Sequence, residues 1–304
     1  MRAVLLRETG PPERLEPGEL PEPVPRDGQR LVRVRAAGVN FLDLLVRQGR
    51  YPQAPSLPTI PGIEVSGEAD GRRVIALTGG GGYAEAVAVD EASLYPLPAG
   101  ASFEEGAAFL LAFLSAYLPL TQQARVGPGT TVLVHAAAGG VGSAGVQVAR
   151  HLGARVVATA SSEEKRRFAA ELGAEAAYGY DDFAEHVRAD VVLDPVDGDV
   201  FEASIGVLEP FGTILAVGSA GGWWRDVSPA RLVGRNVGAQ GFYLGRLLGR
   251  RPELVRTAAD ELLGLWEHGA LRPIVGATFP LEEAASAHRL IEGRRHTGKV
   301  LLVP

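Results

Sequence analysis

The chain has 304 residues, of which 46% are hydrophobic, enough to bury a substantial core in each of two domains. Its formal net charge is −6 and no lysine and arginine cluster follows an apolar span, which argues against nucleic acid or an anionic membrane as a partner. It contains no cysteine, which excludes disulfides, thiolate nucleophiles and cysteine-bound zinc.

Further features of the sequence bear on where and under what conditions the protein works. The longest apolar run, AAFLLAFL at 107–114, is too short to cross a bilayer, and the first residues lack the apolar segment of a signal peptide. We therefore expect a cytoplasmic protein. All but two of the 30 basic residues are arginines, and prolines are frequent, which favours heat adaptation unless codon bias alone explains the arginines.

The first hundred residues carry strand and turn signals. The runs RLVRVRAAGVN (30–40) and RRVIALTGGGGYAEAVAV (72–89) are typical of strands and are separated by clusters of proline and glycine. From Ser102 the pattern becomes helical, and Glu105 stands where a capping box would place it.

The middle of the chain alternates short β-branched runs with helical segments. The predicted strands are 130–136, 154–160, 190–196, 212–218 and 236–242. Such alternation predicts βαβ units with a parallel sheet, and therefore an α/β fold.

The last 55 residues contain a predicted helix at 252–268 and a closing strand in GKVLLVP (298–304). A β-rich ending after an α/β region suggests that the chain returns to its first domain. We therefore predict a discontinuous domain of residues 1–117 and 246–304 around an inserted α/β domain of residues 118–245.

The glycine-rich stretch VHAAAGGVGSAG (134–145) lies between the first of these strands and a helix, where backbone N–H groups can bind phosphate. A literal G-x-G-x-x-G runs through Gly140, Gly142 and Gly145, and a shifted one through Ala137, Gly139 and Gly142. We favour the shifted register, because the tight turn belongs directly after the strand. The alternative is a tight turn that binds nothing. In the favoured register the residues facing a pyrophosphate are Ala138, Gly139, Gly140 and Val141, while Gly142 and Gly145 allow close packing.

The second strand of the nucleotide-binding domain bears on the choice of cofactor. An NAD site usually has an acid about twenty residues beyond the loop, but this strand ends with Thr159 and Ser161. Ser161 and Glu164 predict a capping box, which would make Glu163 and Glu164 helix-start residues. Lys165 lies where the 2′-phosphate of NADP would be, so NADP is favoured over NAD. The alternative for Lys165 is a solvated helix face.

Four segments in order, AAGVNFLDLLVRQGRYP, LPTIPGIEVSG, VHAAAGGVGSAGVQVARHLGA and GKVLLVP, resemble the zinc-independent, zeta-crystallin-like quinone oxidoreductases of the medium-chain dehydrogenase/reductase superfamily. The similarity covers essentially the whole chain. It implies a GroES-like β-rich catalytic domain and a Rossmann domain with six strands, with NADPH in the cleft between them.

The resemblance also assigns positions along the cofactor. Lys165 and Tyr180 match positions that hold the 2′-phosphate, and Arg294 would add a third contact. Asn40 and Ser115 match positions beside the nicotinamide. Val196, Ser219 and Phe242 match positions at strand ends along the cofactor. The full set of predicted cofactor-binding residues from the second strand onward is Thr159, Ser161, Lys165, Tyr180, Val196, Ser219, Phe242 and Arg294.

Relative to the zinc alcohol dehydrogenases, the resemblance puts Asn40 and Ile63 at the catalytic cysteine and histidine positions, so no metal ligand is expected. Two other positions depart from the family's pattern. Phe113 replaces a usual glycine and Leu45 replaces a tyrosine that can line the substrate pocket, which predicts a more apolar pocket.

These expectations lead to a metal-free reduction in which NADPH supplies the hydride and the protein positions the substrate. Asn40 and Tyr51 are the predicted catalytic hydrogen-bond donors to a quinone. The alternative for Tyr51 is that it only packs beside Pro52. Asp43 and Glu64 can simply satisfy hydrogen-bond donors within the fold. One alternative is an NADPH-dependent reductase of α,β-unsaturated carbonyls or enoyl thioesters, and another is an NADPH-binding structural or sensing protein. The resemblance further implies a homodimer that pairs the edge strand NVGAQGF (236–242).

Overall fold

The computed structural model describes residues 1–222 and 224–304. The strands within these residues are β1 (Arg2–Leu6), β2 (Leu15–Glu19), β3 (Gln29–Val39), β4 (Glu64–Ala69), β5 (Arg72–Leu77), β6 (Ala86–Asp90), β7 (Leu94–Pro96), β8 (Thr131–Val134), β9 (Arg155–Thr159), β10 (Ala176–Tyr178), β11 (Ala189–Asp194), β12 (Leu208–Ala216), β13 (Gly238–Gly241), β14 (Val275–Pro280) and β15 (Lys299–Val303). The α-helices in the same part of the chain are α1 (Phe41–Arg47), α2 (Phe103–Ala107), α3 (Leu110–Leu118), α4 (Gly140–His151), α5 (Glu163–Leu172), α6 (Phe183–His186), α7 (Asp199–Val207), α8 (Pro229–Arg235), α9 (Leu244–Arg250), α10 (Pro252–Glu267) and α11 (Ala284–Glu292).

The chain forms two compact units, one of Met1–Leu111 with Arg272–Pro304 and one of Ala112–Leu271. The boundaries differ from the predicted ones mainly at the return of the chain, because residues 246–271 lie in the second unit. The reason is packing: α10 contacts α9 and buries one face, and Glu261 on α10 accepts a hydrogen bond from the Tyr117 hydroxyl.

The first unit is built on a sheet of seven strands. Its order is β14-β15-β3-β4-β5-β7, with β6 also paired to β3, and most of the pairs are antiparallel. In β3, Val32 and Val34 are buried whereas Arg33 and Arg35 are exposed, the period of two expected when one face of a strand meets the core. The predicted β-rich domain is therefore present.

The second unit is a parallel sheet in the order β10-β9-β8-β11-β12-β13. Each of the five predicted strands is found, and the order is the doubly wound one that places the first strand of the unit beside the fourth. The central strand β8 reads TVLV and is buried over its last three residues, as expected when helices cover both faces of a sheet. The predicted α/β fold class is confirmed.

The apolar segment after Ser102 is helical but interrupted. Ser102 and Glu105 form the predicted capping box, with N···O distances of 2.7 Å and 3.1 Å. Helix α2 then ends at Ala107, α3 begins at Leu110, and a π-helical turn follows at Pro119–Gln123. By length and composition Phe103–Gln123 could cross a membrane, but 72% of its apolar window is buried within the protein, as for a core helix.

Candidate active site and cofactor loop

The glycine-rich loop makes its tight turn directly after β8. Ala136 adopts a φ of +49°. The N–H of Ala137 donates to the carbonyl of Thr159 at 3.0 Å, and the N–H of Gly139 donates to the carbonyl of Ala136 at 2.8 Å. Helix α4 begins at Gly140 with Gly139 as its N-cap. The turn therefore lies at Ala136 to Gly139, the position that the shifted register predicts.

Two glycines of α4 allow the helix to approach the sheet. A Cβ on Gly142 would lie 2.0 Å from the carbonyl oxygen of Ala136, and one on Gly145 would lie 2.5 Å from Cδ2 of Leu193. Both predicted packing positions are therefore confirmed. The first-turn N–H groups of α4 lack intrahelical acceptors, so this helix start can receive an anion.

Beneath the loop lies a buried histidine that sequence reasoning missed. His135 Nε2 lies 2.7 Å from Ser204 Oγ, which itself donates to the carbonyl of Val200. Ser204 must therefore accept from Nε2–H, so Nδ1 accepts from the Thr159 hydroxyl at 2.7 Å. Burial lowers the pKa of His135 to about 3, which keeps the ring neutral. The Thr159 hydroxyl hydrogen is thus committed to His135.

The start of α5 differs from prediction by one residue. Ser162, and not Ser161, is the N-cap, and its hydroxyl accepts from the N–H of Lys165 at 3.3 Å. The predicted Ser161 and Glu164 capping box is therefore wrong. Its physical reason is that the helix begins at Glu163, so the third helical position is held by a lysine.

The Glu163 side chain bonds within its own helix. Its carboxylate accepts from Arg166 at 2.9 Å and from Arg167 at 3.2 Å, and these bonds hold the pKa of Glu163 below its usual value. Lys165 is half-buried, and burial lowers the pKa of its ammonium group. Tyr180, two residues beyond β10, accepts a hydrogen bond from the N–H of Ala136 at 3.1 Å.

Neighbouring parallel strands bring most of the predicted residues of this unit to one edge. Because β8, β9 and β10 are adjacent, the loop, Lys165 and Tyr180 all follow the carboxyl ends of strands at that edge. Val196, Ser219 and Phe242 follow β11, β12 and β13 in the same way. Ser115 lies in α3 of the same unit. Sequence reasoning missed Asp194, which accepts from the N–H groups of Val196 and Asp197 and whose pKa burial raises to about 6.

The first unit holds the predicted catalytic residue Asn40 at the N-cap of α1. The N–H of Asn40 donates to Asp43 at 2.8 Å. Asp43 also accepts from the N–H of Gly62 at 3.2 Å and from the Tyr83 hydroxyl at 3.1 Å. Despite these donors, complete burial raises the pKa of Asp43 to about 6. Asp43 therefore satisfies donors within the fold.

The side chain of Asn40 is held by a lysine that sequence reasoning missed. The Lys299 ammonium group donates to Asn40 Oδ1 and lies 3.0 Å from Glu64 Oε2. Glu64 Oε1 accepts from the N–H of Leu111 at 2.7 Å. A lysine within the apolar closing strand KVLLV, one of two lysines in the chain, is the sequence signal that could have identified this partner.

Tyr51 and Arg294 also lie in the first unit. Tyr51 is half-buried and packs against the apolar core of that unit. Arg294 follows α11 and adopts a φ of +52°. The contacts predicted for both residues stay predictions.

The side chains at the zinc-ligand positions implied by the resemblance do not suit zinc. Ile63 is a hydrocarbon, and the amide oxygen of Asn40 already accepts from the Lys299 ammonium group. Across residues 1–222 and 224–304, no group of three His, Cys, Asp or Glu side chains could hold a metal ion.

Comparisons with known proteins agree with this architecture. The alcohol dehydrogenase GroES-like domain family matches residues 26–99, and the zinc-binding dehydrogenase family matches residues 172–302. The quinone oxidoreductase of Homo sapiens is 32% identical over 326 residues, covering 100% of this chain and 98% of that protein. The synaptic vesicle membrane protein VAT-1 homolog of Rattus norvegicus is 34% identical over 317 residues, covering 93% and 78%.

Solved structures give the same relationship. The quinone oxidoreductase of Thermus thermophilus, whose crystal structures include a complex with NADPH, is 43% identical, with a TM-score of 0.91 and coverage of 100% of both chains. The similarity to quinone oxidoreductases extends, in sequence and in structure, over the full length of the chain. The chain belongs to the quinone oxidoreductases of the medium-chain dehydrogenase/reductase superfamily.

Proposed function

We propose that the protein is an NADPH-dependent, metal-free quinone reductase. The observation that carries the proposal is the gathering of the glycine-rich helix start, Lys165 and Tyr180 at one edge of the parallel sheet, with Glu163 engaged by arginines. An anion-binding helix start beside a lysine suits a dinucleotide with an extra phosphate. The related structure from Thermus thermophilus was crystallised with NADPH.

The backbone of the loop and the side chains near it would hold this cofactor. Backbone N–H groups in the stretch Ala138 to Val141, apart from that of Gly139, which donates to the Ala136 carbonyl, would bind the pyrophosphate. Gly142 has no Cβ, so the helix can lie close to the strand that precedes it. Lys165 and Tyr180, with Arg294, would bind the 2′-phosphate. The remaining contacts along the cofactor are assigned to Ser115, Thr159, Ser161, Val196, Ser219 and Phe242.

NADPH, when bound, supplies a hydride from its nicotinamide ring to the quinone. The carbonyl oxygen of the substrate then gains negative charge, which the amide Nδ2–H of Asn40 stabilises by donating a hydrogen bond. Tyr51 is the second donor, and it or water provides the proton that completes the hydroquinone. Neither role needs a metal, since hydrogen-bond donors meet the developing charge.

Steady-state oxidation of NADPH tests the proposal. We expect turnover with 1,4-benzoquinone and 9,10-phenanthrenequinone that exceeds turnover with a crotonyl thioester. Preference for the thioester would assign the protein to the reduction of activated alkenes. Binding of NADPH without oxidation by any of the three would contradict an enzymatic role altogether.

The proposal extends to the oligomeric state, the cellular location and the heat adaptation of the protein. Strand β13 ends the parallel sheet and is partly exposed, which supports pairing of this edge in a homodimer. A cytoplasmic location and heat adaptation complete the proposal, the latter supported by the excess of arginine over lysine.

A further inference from the structure

The carboxamide of Asn40 can adopt two orientations, in which its oxygen and its nitrogen exchange places. Only one of them allows the Nδ2–H group to donate a hydrogen bond to a substrate. Nδ2 lies 3.2 Å from the carbonyl oxygen of Gly38, an acceptor without hydrogens. Oδ1 faces the ammonium group of Lys299, a donor without an acceptor. Each partner therefore accepts the same single orientation of the amide.

This orientation leaves one hydrogen of the amide for a substrate. One Nδ2 hydrogen is used by Gly38, and no other described residue takes the second. If the amide were reversed, Oδ1 would meet the Gly38 carbonyl and Nδ2 would meet the ammonium group. Both contacts would be repulsive.

Lys299 is itself fixed by burial and by its partner. The lysine is 5% exposed and Glu64 is 0% exposed. The ammonium group lies 3.0 Å from Glu64 Oε2, which is an ion-pair distance. The angles do not make this contact a hydrogen bond, because Glu64 Oε2 has no hydrogen-bond partner. A proton of the ammonium group is directed instead at Asn40. Since the other carboxylate oxygen accepts from Leu111, the glutamate cannot turn away.

Gly38 leaves room for the ion pair between Lys299 and Glu64, because it has no side chain. A Cβ on Gly38 would lie 2.8 Å from Glu64 Oε2, 3.3 Å from Lys299 Nζ and 2.5 Å from the carbonyl oxygen of Ala107. Any larger side chain would therefore push apart the ion pair that faces Asn40.

We infer that Lys299 and Glu64 are positioning residues that hold the Asn40 carboxamide with one Nδ2–H toward the substrate. Lys299 fixes the orientation by donating to Oδ1, and Glu64 keeps Lys299 in place and balances its charge. The inference rests on the proposed function, because it gives Asn40 its role as donor to a reacting oxygen.

The composition of the chain provides a test that needs no catalysis. Asn40 and Asn236 are its two asparagines, so protein labelled with ¹⁵N-asparagine gives two side-chain amide pairs in an NMR spectrum. Asn40→Asp identifies the Asn40 pair, and Asn236 is the internal control. In Lys299→Met/Glu64→Gln, which leaves no buried unpaired charge, we expect the Asn40 pair to move and broaden while Asn236 is unchanged. An unchanged Asn40 pair would overturn the inference.

Kinetics of the same double variant separate positioning from support of the fold. We expect its melting temperature to stay near that of the wild type, its KM for NADPH to change less than twofold, and its kcat with benzoquinone to fall about 10- to 100-fold. A double variant that keeps the kcat of the wild type would contradict the positioning role.

A double-mutant cycle tests whether the pair acts through Asn40. Once Asn40→Ala is present, adding Lys299→Met/Glu64→Gln should lower kcat by less than about twofold. A full additional loss would contradict the inference. If the wild type reduces no quinone, the proposed function fails, and the NMR experiment still decides the orientation of Asn40.

Discussion

A second group of buried side chains fixes the backbone of Asn40, and its hydrogens run in one direction. Arg47 Nε–H donates to His288 Nδ1 at 3.3 Å, so the ring must carry its hydrogen on Nε2. His288 then donates to the Tyr83 hydroxyl at 3.1 Å, and Tyr83 donates to Asp43 at 3.1 Å. An arginine side chain cannot accept a hydrogen bond, so Arg47 must donate to His288. This fixes His288 and then Tyr83 as the donors of the next two hydrogen bonds.

Tyr83→Phe tests this direction. The substitution removes a donor from the fully buried Asp43 carboxylate and an acceptor from His288, so we expect a loss of about 1–3 kcal/mol in the free energy of unfolding. Urea denaturation measures the change. An effect below about 0.5 kcal/mol would show that Asp43 does not depend on the hydroxyl.

Lys165→Ala tests the assignment of the phosphate at the same scale. Loss of a charge-assisted contact should weaken NADPH binding by about 1.5–3 kcal/mol and leave NADH binding nearly unchanged. Fluorescence titration with both cofactors gives the comparison. Arg167→Ala, which removes an exposed cation from the same helix, is the matched control and should affect neither. Equal losses of NADPH and NADH affinity in Lys165→Ala would exclude a 2′-phosphate role.

At the scale of elements, the periodicity of the sequence predicted five of the six strands of the parallel sheet, because β-branched runs between helices have few other solutions, and it missed the three-residue β10. Two kinds of position were not predictable: a choice between adjacent residues that are equally suited, and positions set by long-range packing. The N-cap of α5 is Ser162 and not Ser161, since two adjacent serines offer equal caps. The return of the chain to its first unit moved from 246 to 272, because contacts that place α10 join residues distant in sequence.

The same limit applies to the candidate site. The loop register followed from local chemistry, because the turn must directly follow β8. Lys299 and Asn40 are 259 residues apart, and His135 and Ser204 are 69 apart, so neither pair leaves a local pattern.

Gly142→Ala tests the packing of α4. The new Cβ would meet the Ala136 carbonyl oxygen at 2.0 Å, so the helix start must shift. We expect a loss of about 1–3 kcal/mol in the free energy of unfolding together with a large loss of NADPH affinity. Gly206→Ala, also in a helix of this unit but with no atom within 4 Å of its Cβ, should be neutral or stabilising. Equal behaviour of the two variants would contradict the close approach.

At the scale of the whole molecule, four buried groups give opposing pH dependences. His135 and His288 have pKa values of about 3, below the usual 6.5, because burial disfavours the charged ring. Below pH 6.5 the unfolded chain binds protons that the folded chain does not, so stability falls as pH falls. Asp43 and Asp194, with pKa values raised to about 6, act in the opposite sense.

We therefore expect a nearly constant free energy of unfolding between pH 6 and 5 in the wild type. Asp194→Asn removes one opposing group while its amide oxygen still accepts from the loop, so its free energy of unfolding should fall by on the order of 1 kcal/mol between pH 6 and pH 5. Urea denaturation at both pH values measures the difference. A variant as insensitive to pH as the wild type would show that Asp194 is ionised throughout.

The central claim is a reduction of quinones by NADPH without a metal. Its most direct test is the rate of NADPH oxidation with benzoquinone after dialysis against EDTA, with the zinc content of the same sample measured. The account predicts full activity in zinc-free protein, because Asn40, Ile63 and Lys299 leave no zinc ligand set. Loss of activity that added zinc restores would contradict it.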